Sequence, residues 1–317
     1  MVFEVRKLQE IGNSLYIALP KEWTRKLKLK KGSLVRLSID PRGVLVILPV
    51  DIELKEFSEI TLNADKFPNL VRAIVRSYLL GYDIIKVHVA KGITLDHKEA
   101  ARKACSILLG LGIIDERRDT IVLQVFTTVR VELEELMSKV NMLAQSMYVD
   151  LYNALKNPSR ELIHSIISRD ETLDKLYFYT VRVIRGYMKS YCPEITPMKL
   201  LTYRLLLKNL EEIGDTVKNA AKTLLRYMKS RDEALDNIKE ESRYFSSFVS
   251  KLTHIHSVAF KAVLNEDYIR AENYMVECEL LRNQMITTLS KCSKPTRTIM
   301  RRYYRILNII SDILDLV

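Results

Sequence analysis

Leu210-Glu211-Glu212-Ile213-Gly214-Asp215 lies in a run that starts at Pro197 and continues to about residue 229, with apolar residues returning every three or four positions. That period is helical, which makes Gly214 unusual, because a glycine inside a helix costs roughly 1 kcal/mol relative to alanine. A glycine kept there needs a packing reason, such as the close approach of a neighbouring backbone or ligand cluster. Glu211 and Asp215 stand four residues apart and so share one face of the helix. Asp170 and Asp174 have the same spacing in the preceding periodic stretch. If the two helices are antiparallel neighbours, four carboxylates converge, a donor set that suits hard cations held between bundle helices.

Outward from this stretch, residues 128–317 hold only two of the nine glycines and are helical in pattern throughout. Leu133, Leu136, Val140, Leu143, Met147, Leu151 and Leu155 form a bundle seam. Five further helices are expected at about 159–189, 197–229, 235–265, 267–291 and 296–316, separated by proline and by Asn265-Glu266-Asp267. Three helices followed by three suggest a duplication with a period near 100 residues, split at about 128–230 and 235–317. In the register of that repeat, Asn273 and Glu277 fall where Asp170 and Asp174 stand, and Asn308 and Asp312 fall where Glu211 and Asp215 stand. An amide oxygen still ligates a hard cation, but two charges are gone, so the second site is expected to be weaker or empty.

The rest of the chain differs in style. Residues 51–127 alternate helix and strand, with a helix ending at Gly81, a strand at 83–89, a helix from Asp96 to Leu109 and a strand at 120–127. This is a small α/β connector carrying 11 basic and 11 acidic residues. Residues 1–50 read as ββαββ: an alternating strand from Val2 to Leu8, the turn Gly12-Asn13, Leu15 to Leu19, a short helix from Pro20, and a hairpin through Asp40-Pro41-Arg42-Gly43. Four short strands have too many open edges and too little core to stand alone, so a dimer is expected.

The charge is uneven. The whole chain is +11, and residues 1–50 hold 10 Lys/Arg against 4 Asp/Glu. Positive charge concentrated on a small module favours a polyanion partner through counterion release. The longest apolar run, Ile107 to Ile114, is far below the roughly 20 residues of a membrane helix, and no secretory leader is recognisable, so a cytoplasmic protein without membrane insertion is expected. Cys105, Cys192, Cys278 and Cys292 are spaced neither as a disulfide framework nor as a metal knot and read as reduced and structural. His254 and His256 are two apart, so one is expected exposed and the other packed. No nucleophile or zinc-protease motif is present, and an enzyme is not expected.

Two resemblances follow from these residues. Arg6-Lys7-Leu8-Gln9, Ile11-Gly12-Asn13-Ser14-Leu15, Leu19-Pro20-Lys21-Glu22-Trp23 and Leu29-Lys30-Lys31-Gly32-Ser33 resemble, in order, the swapped-hairpin DNA-binding domain of the SpoVT/AbrB and MazE type. The resemblance implies a β-barrel shared by two chains, with double-stranded DNA as partner and Arg6, Lys7, Lys21, Arg25 and Lys26 as candidate DNA contacts. Residues 128–317 resemble PhoU, the phosphate-uptake regulator, through Asp170-Glu171-Thr172-Leu173-Asp174 and Glu211-Glu212-Ile213-Gly214-Asp215. That implies a pair of three-helix bundles and metal ions, iron or zinc or else magnesium, on Asp170, Asp174, Glu211 and Asp215, with a second, weaker site on Asn273, Glu277, Asn308 and Asp312. Such fusions are familiar among archaeal phosphate-uptake regulators.

The expected fold is therefore multidomain α+β: a dimeric barrel at 1–50, an α/β connector at 51–127 and a six-helix domain at 128–317. Two functions are expected from it. In the first, the barrel binds operator DNA and the bundle senses phosphate status through metal. In the second, the bundle docks on a phosphate ABC transporter subunit or signalling partner and the barrel only dimerises.

Overall fold

The computed structural model describes residues 4–39, 43–50, 57–126, 132–189, 195–229 and 234–317. Asp40 to Arg42, Cys192 and the junctions expected at 51, 127–128 and 230 lie outside them. The chain divides into two compact units, Met1–Glu56 and Phe57–Val317.

In the first unit, β1 (Gln9–Ile11) and β2 (Ser14–Tyr16) form an antiparallel hairpin around Gly12, whose φ of 64° is the left-handed geometry that glycine adopts without strain. Pro20 leads into α1 (Lys21–Lys26), and β3 (Val35–Ile39) pairs with β4 (Leu45–Pro49) as the second hairpin. The ββαββ order is as expected, but residues 4–8 are irregular rather than strand, and β1 begins only at Gln9. Among the described residues of one chain, no sheet edge pairs with that segment. No described residue of this unit is buried. Leu15, Leu37 and Ile39 are 68%, 59% and 74% exposed, an apolar surface of the kind a partner covers.

The second unit begins with a four-stranded sheet in the order β5-β6-β8-β7. Its strands are β5 (Glu59–Asn63), β6 (Ile84–His88), β7 (Leu111–Glu116) and β8 (Thr120–Val125), with β5 and β6 parallel and the other pairs antiparallel. Two helices, α2 (Leu70–Leu79) and α3 (Leu95–Ile107), close a core of Ile74, Tyr78, Ile85, Val87, Leu108, Ile121 and Leu123. β5 and β7 were not expected. β5 alternates over only five residues, and β7 contains Gly112, which reads as a breaker but lies against the Phe126 ring.

The helical region follows the expected three-plus-three plan. α4 (Leu133–Lys156), α5 (Arg160–Lys189) and α6 (Pro197–Tyr227) pack on one another. So do α8 (Ser246–Asn265), α9 (Tyr268–Ser290) and α10 (Lys294–Leu314). The single helix expected at 235–265 is instead α7 (Ala234–Glu241), a 3-10 turn at Ser242–Phe245 that buries Phe245, and then α8. α6 against α10 and α4 against α8 join the triplets through one continuous core. Tyr303 Oη, fully buried, donates to the Tyr148 carbonyl at 2.7 Å across that junction.

α5 also carries the sheet. Arg182 Nη1 donates to the carbonyls of Tyr78 and Tyr82 at 2.7 and 2.8 Å, and its Nη2 pairs with Asp83 Oδ1 at 2.7 Å. The same guanidinium stacks 5.0 Å from the Tyr78 ring. The connector and the bundle are thus one packed body.

Candidate functional site

The first-triplet carboxylates do face one another. Asp170, only 2% exposed, lies on the side of α5 that meets α6, and Asp215 stands on the facing turn of α6. What permits this approach is Gly214: a Cβ there would overlap Leu173 Cδ2 and stand 3.6 Å from Asp170 Oδ1. The unusual helical glycine thus has its packing reason, and it lies within the acidic cluster.

The cation at this site belongs to the chain. Lys218, three residues beyond Asp215, hydrogen-bonds Asp170 Oδ2 and, at 2.7 Å, Asp215 Oδ1. Its ammonium is held far above the usual lysine range by those two carboxylates, against the opposing effect of burial. Burial also raises the Asp170 carboxyl, opposed by Lys218, and Asp170 Oδ1 is buried without a hydrogen-bond partner. Asp174 is pushed up to about 6, first by desolvation and then by the charges of Asp170, Asp215 and Glu211. Glu211 is ion-paired with Lys208 on its own helix, and Glu212 with Arg305 of α10.

In this structure Lys218 holds the place between Asp170 and Asp215 that the resemblance gives to a metal ion. Lys218 takes an oxygen from each of Asp170 and Asp215, and among the described residues no three His, Cys, Asp or Glu side chains form a group able to hold a metal ion.

The second set is not brought together. Asn273 and Glu277 are exposed, whereas the core side of α9 carries Ala271, Cys278, Leu281 and Met285. Counted from the first residues of α5 and α9, Arg160 and Tyr268, the positions matching Asp170 and Asp174 are Cys278 and Arg282. The register expected from the repeat is therefore five residues off. Arg282 Nε donates to Asn308 Oδ1 at 3.3 Å, so a basic side chain again lies among the expected ligands. Burial raises the Asp312 carboxyl, with Arg305 and Arg282 acting against it.

The other residues singled out by the sequence lie apart from this cluster. Lys7, Lys21, Arg25 and Lys26 are exposed on the first unit, and Arg6 is ion-paired with Glu4. His256 is fully buried with Nδ1 3.2 Å from Tyr148 Oη, while His254 is exposed and meets Tyr274 Oη at 2.9 Å, as their spacing suggested. Cys105, Cys278 and Cys292 are free thiols. Lys218, Arg282 and Arg182 were not singled out from sequence. Only Lys218 left a signal there, as a lysine one helical turn after Asp215 on the same face.

Comparison with protein families agrees with both halves of this architecture. Residues 137–224 match the PhoU domain, and residues 8–55 match the antidote-toxin recognition domain of the bacterial antitoxin MazE. No curated protein and no solved structure matches the chain. Both matched domains are regulatory, and no helix among the described residues is long and apolar enough to cross a membrane.

Proposed function

We propose that this chain, which joins an AbrB/MazE-like module to a PhoU-like helical region, is a phosphate-responsive transcriptional regulator of the cytoplasm. Two copies share the amino-terminal barrel and bind double-stranded DNA through Lys7, Lys21, Arg25 and Lys26, with Arg6 released from Glu4. The bundle biases that binding according to phosphate status. The observation that carries this reading is the first unit itself: 10 basic against 4 acidic residues in its first 50, and no buried residue among those described. A module that cannot complete a core alone and concentrates cationic side chains fits a dimer on a polyanion.

The bundle's influence on DNA binding requires reciprocity: a ligand that weakens DNA affinity is itself bound more weakly when DNA is present. No step of this reading passes through a metal ion, because Lys218 already supplies the positive charge between Asp170 and Asp215.

A second reading, a PhoU-like adaptor on a phosphate ABC transporter subunit, is favoured by one observation. Ile269, Val276 and Leu280 lie on one face of α9 and are 79%, 58% and 60% exposed. Fluorescence anisotropy with the full chain separates the two, comparing DNA from upstream of its own gene with scrambled DNA over a range of salt, with and without phosphate. A preference of about 10³-fold for the upstream sequence that phosphate alters supports the regulator. Equal, salt-sensitive and phosphate-indifferent binding to both DNAs supports the adaptor.

A further inference from the structure

α6 and α10 form the seam between the two triplets, and an open groove of about 620 Å³ runs along it. Each wall presents residues at the spacing of one helix face. Glu212, Asp215, Thr216 and Asn219 come from α6, and Thr298, Arg301, Arg302 and Arg305 from α10. The opposite face of α10 is locked in the core by Ile299, Met300, Tyr303 and Ile306, all 1% exposed or less, so the arginine row stands on a rigid support.

The charges in the groove do not cancel. Glu212 is paired with Arg305, and Asp215 with Lys218. Arg301 and Arg302 are exposed and have no carboxylate partner among the described residues. Two carboxylates thus face three arginines in the lining, and Lys218, shared between Asp215 and Asp170, adds no surplus, so the groove keeps a net positive charge that suits an anion. Two guanidinium forks and the amide of Asn219 supply the donors that a tetrahedral oxyanion accepts, while the Thr298 hydroxyl donates to the Lys294 carbonyl at 2.8 Å.

We infer that the α6–α10 groove binds a phosphate-type oxyanion, with Arg301 and Arg302 as the principal contacts and Asn219 as a neutral donor. Asp215, in the same lining, connects the groove to the Lys218 pair. This goes beyond the proposed function, which leaves open how phosphate reaches the bundle; the binding itself requires neither DNA nor metal.

The test is titration calorimetry of the full-length protein with inorganic phosphate against potassium chloride at matched ionic strength, without DNA. Saturable phosphate binding is expected. Arg301→Gln/Arg302→Gln is expected to weaken it at least about tenfold, since each lost charge-assisted contact is worth that order. Lys103→Gln/Lys261→Gln removes the same charge from exposed positions outside the groove and is expected to bind as the wild type does. Asn219→Ala is expected to weaken binding severalfold, a check that does not depend on the arginine variant folding. Adenosine monophosphate as titrant separates the sources: binding as tight as that of phosphate assigns the groove to phosphate esters, and exclusion assigns it to the free ion.

No phosphate heat beyond that of chloride overturns the inference, as does equal loss in the two double variants. A third overturning result is loss of DNA binding in Arg301→Gln/Arg302→Gln with no phosphate binding in the wild type, which makes the groove a DNA contact. Phosphate binding that leaves DNA affinity unchanged sustains the groove and removes the regulator reading, so the two fail separately.

Discussion

Gly214 on α6 touches Leu173 on α5 so closely that a Cβ at 214 has no room, and Leu173, wholly buried, has nowhere to swing. Gly214→Ala is therefore expected to destabilise the protein by about 1–2 kcal/mol, with overpacking outweighing the roughly 1 kcal/mol gained in helix propensity. Leu173→Ala makes the space. In urea unfolding the double variant is expected to cost less than the sum of the two single variants; strict additivity would place the strain elsewhere.

Lys218 neutralises a carboxylate that is almost wholly buried. Lys218→Met is expected to lower stability by about 2–4 kcal/mol by leaving Asp170 uncompensated. The same change should create a response the wild type lacks. Magnesium or manganese should raise the melting temperature of Lys218→Met, while neither these ions nor a chelator moves the wild type. Loss of wild-type stability on chelation would show that Lys218 yields its place to a metal.

His256 is buried without a charged partner, and its imidazole is pushed down from 6.5 to about 4 by desolvation. Between those values the unfolded chain binds the proton and the folded chain does not, so stability present above pH 6.5 is lost as pH falls toward 4. The shift corresponds to about 3 kcal/mol. His256→Phe is expected to flatten this part of the stability–pH curve, measured by chemical denaturation at each pH; an unchanged slope would assign the acid loss to other groups.

Arg182 fastens the sheet to α5 through Tyr78, Tyr82 and Asp83. Arg182→Ala is expected to cost about 2–3 kcal/mol, as two carbonyls and a carboxylate lose a charged donor. Hydrogen exchange should rise at residues 78–85 more than within α8–α10. A uniform rise over the second unit would mean that the sheet and bundle unfold together regardless of the clamp.

The exposed Leu37 and Ile39 of β3 ought to lie under a partner chain in solution. Leu37→Asp/Ile39→Asp is expected to turn the dimer into a monomer in sedimentation velocity and to abolish DNA binding, while the helical signal of the second unit is retained. Dimerisation that survives both aspartates would place the interface outside the β3–β4 hairpin.

Much of this architecture can be read from the sequence because its signals are local. The heptad-like seam from Leu133 to Leu155, the break at Asn265-Glu266-Asp267, the turn at Gly12 and the basic excess of residues 1–50 each depend on neighbours in the chain, and each has its counterpart in the fold. β5 and β7 escape such a reading because five or six residues carry little periodic signal, β7 also contains Gly112, and its strand state comes from pairing with β8. The split of α7 from α8 escapes it because the 3-10 turn that buries Phe245 is a response to packing.

The order of modules, the helical repeat, the pairing of carboxylates on one helix face and the need for a special reason at Gly214 are all properties of the linear chain. What those carboxylates meet is a property of the folded one. Lys218 reaches Asp170 across 48 positions of chain, and Arg305 reaches Glu212 across 93. Arg282 takes the place assigned to an acidic ligand because burial, set by packing on α10, fixes the register of α9. Periodicity specifies which face a residue occupies; which charge lies opposite depends on how two helices dock, and that follows from the whole core.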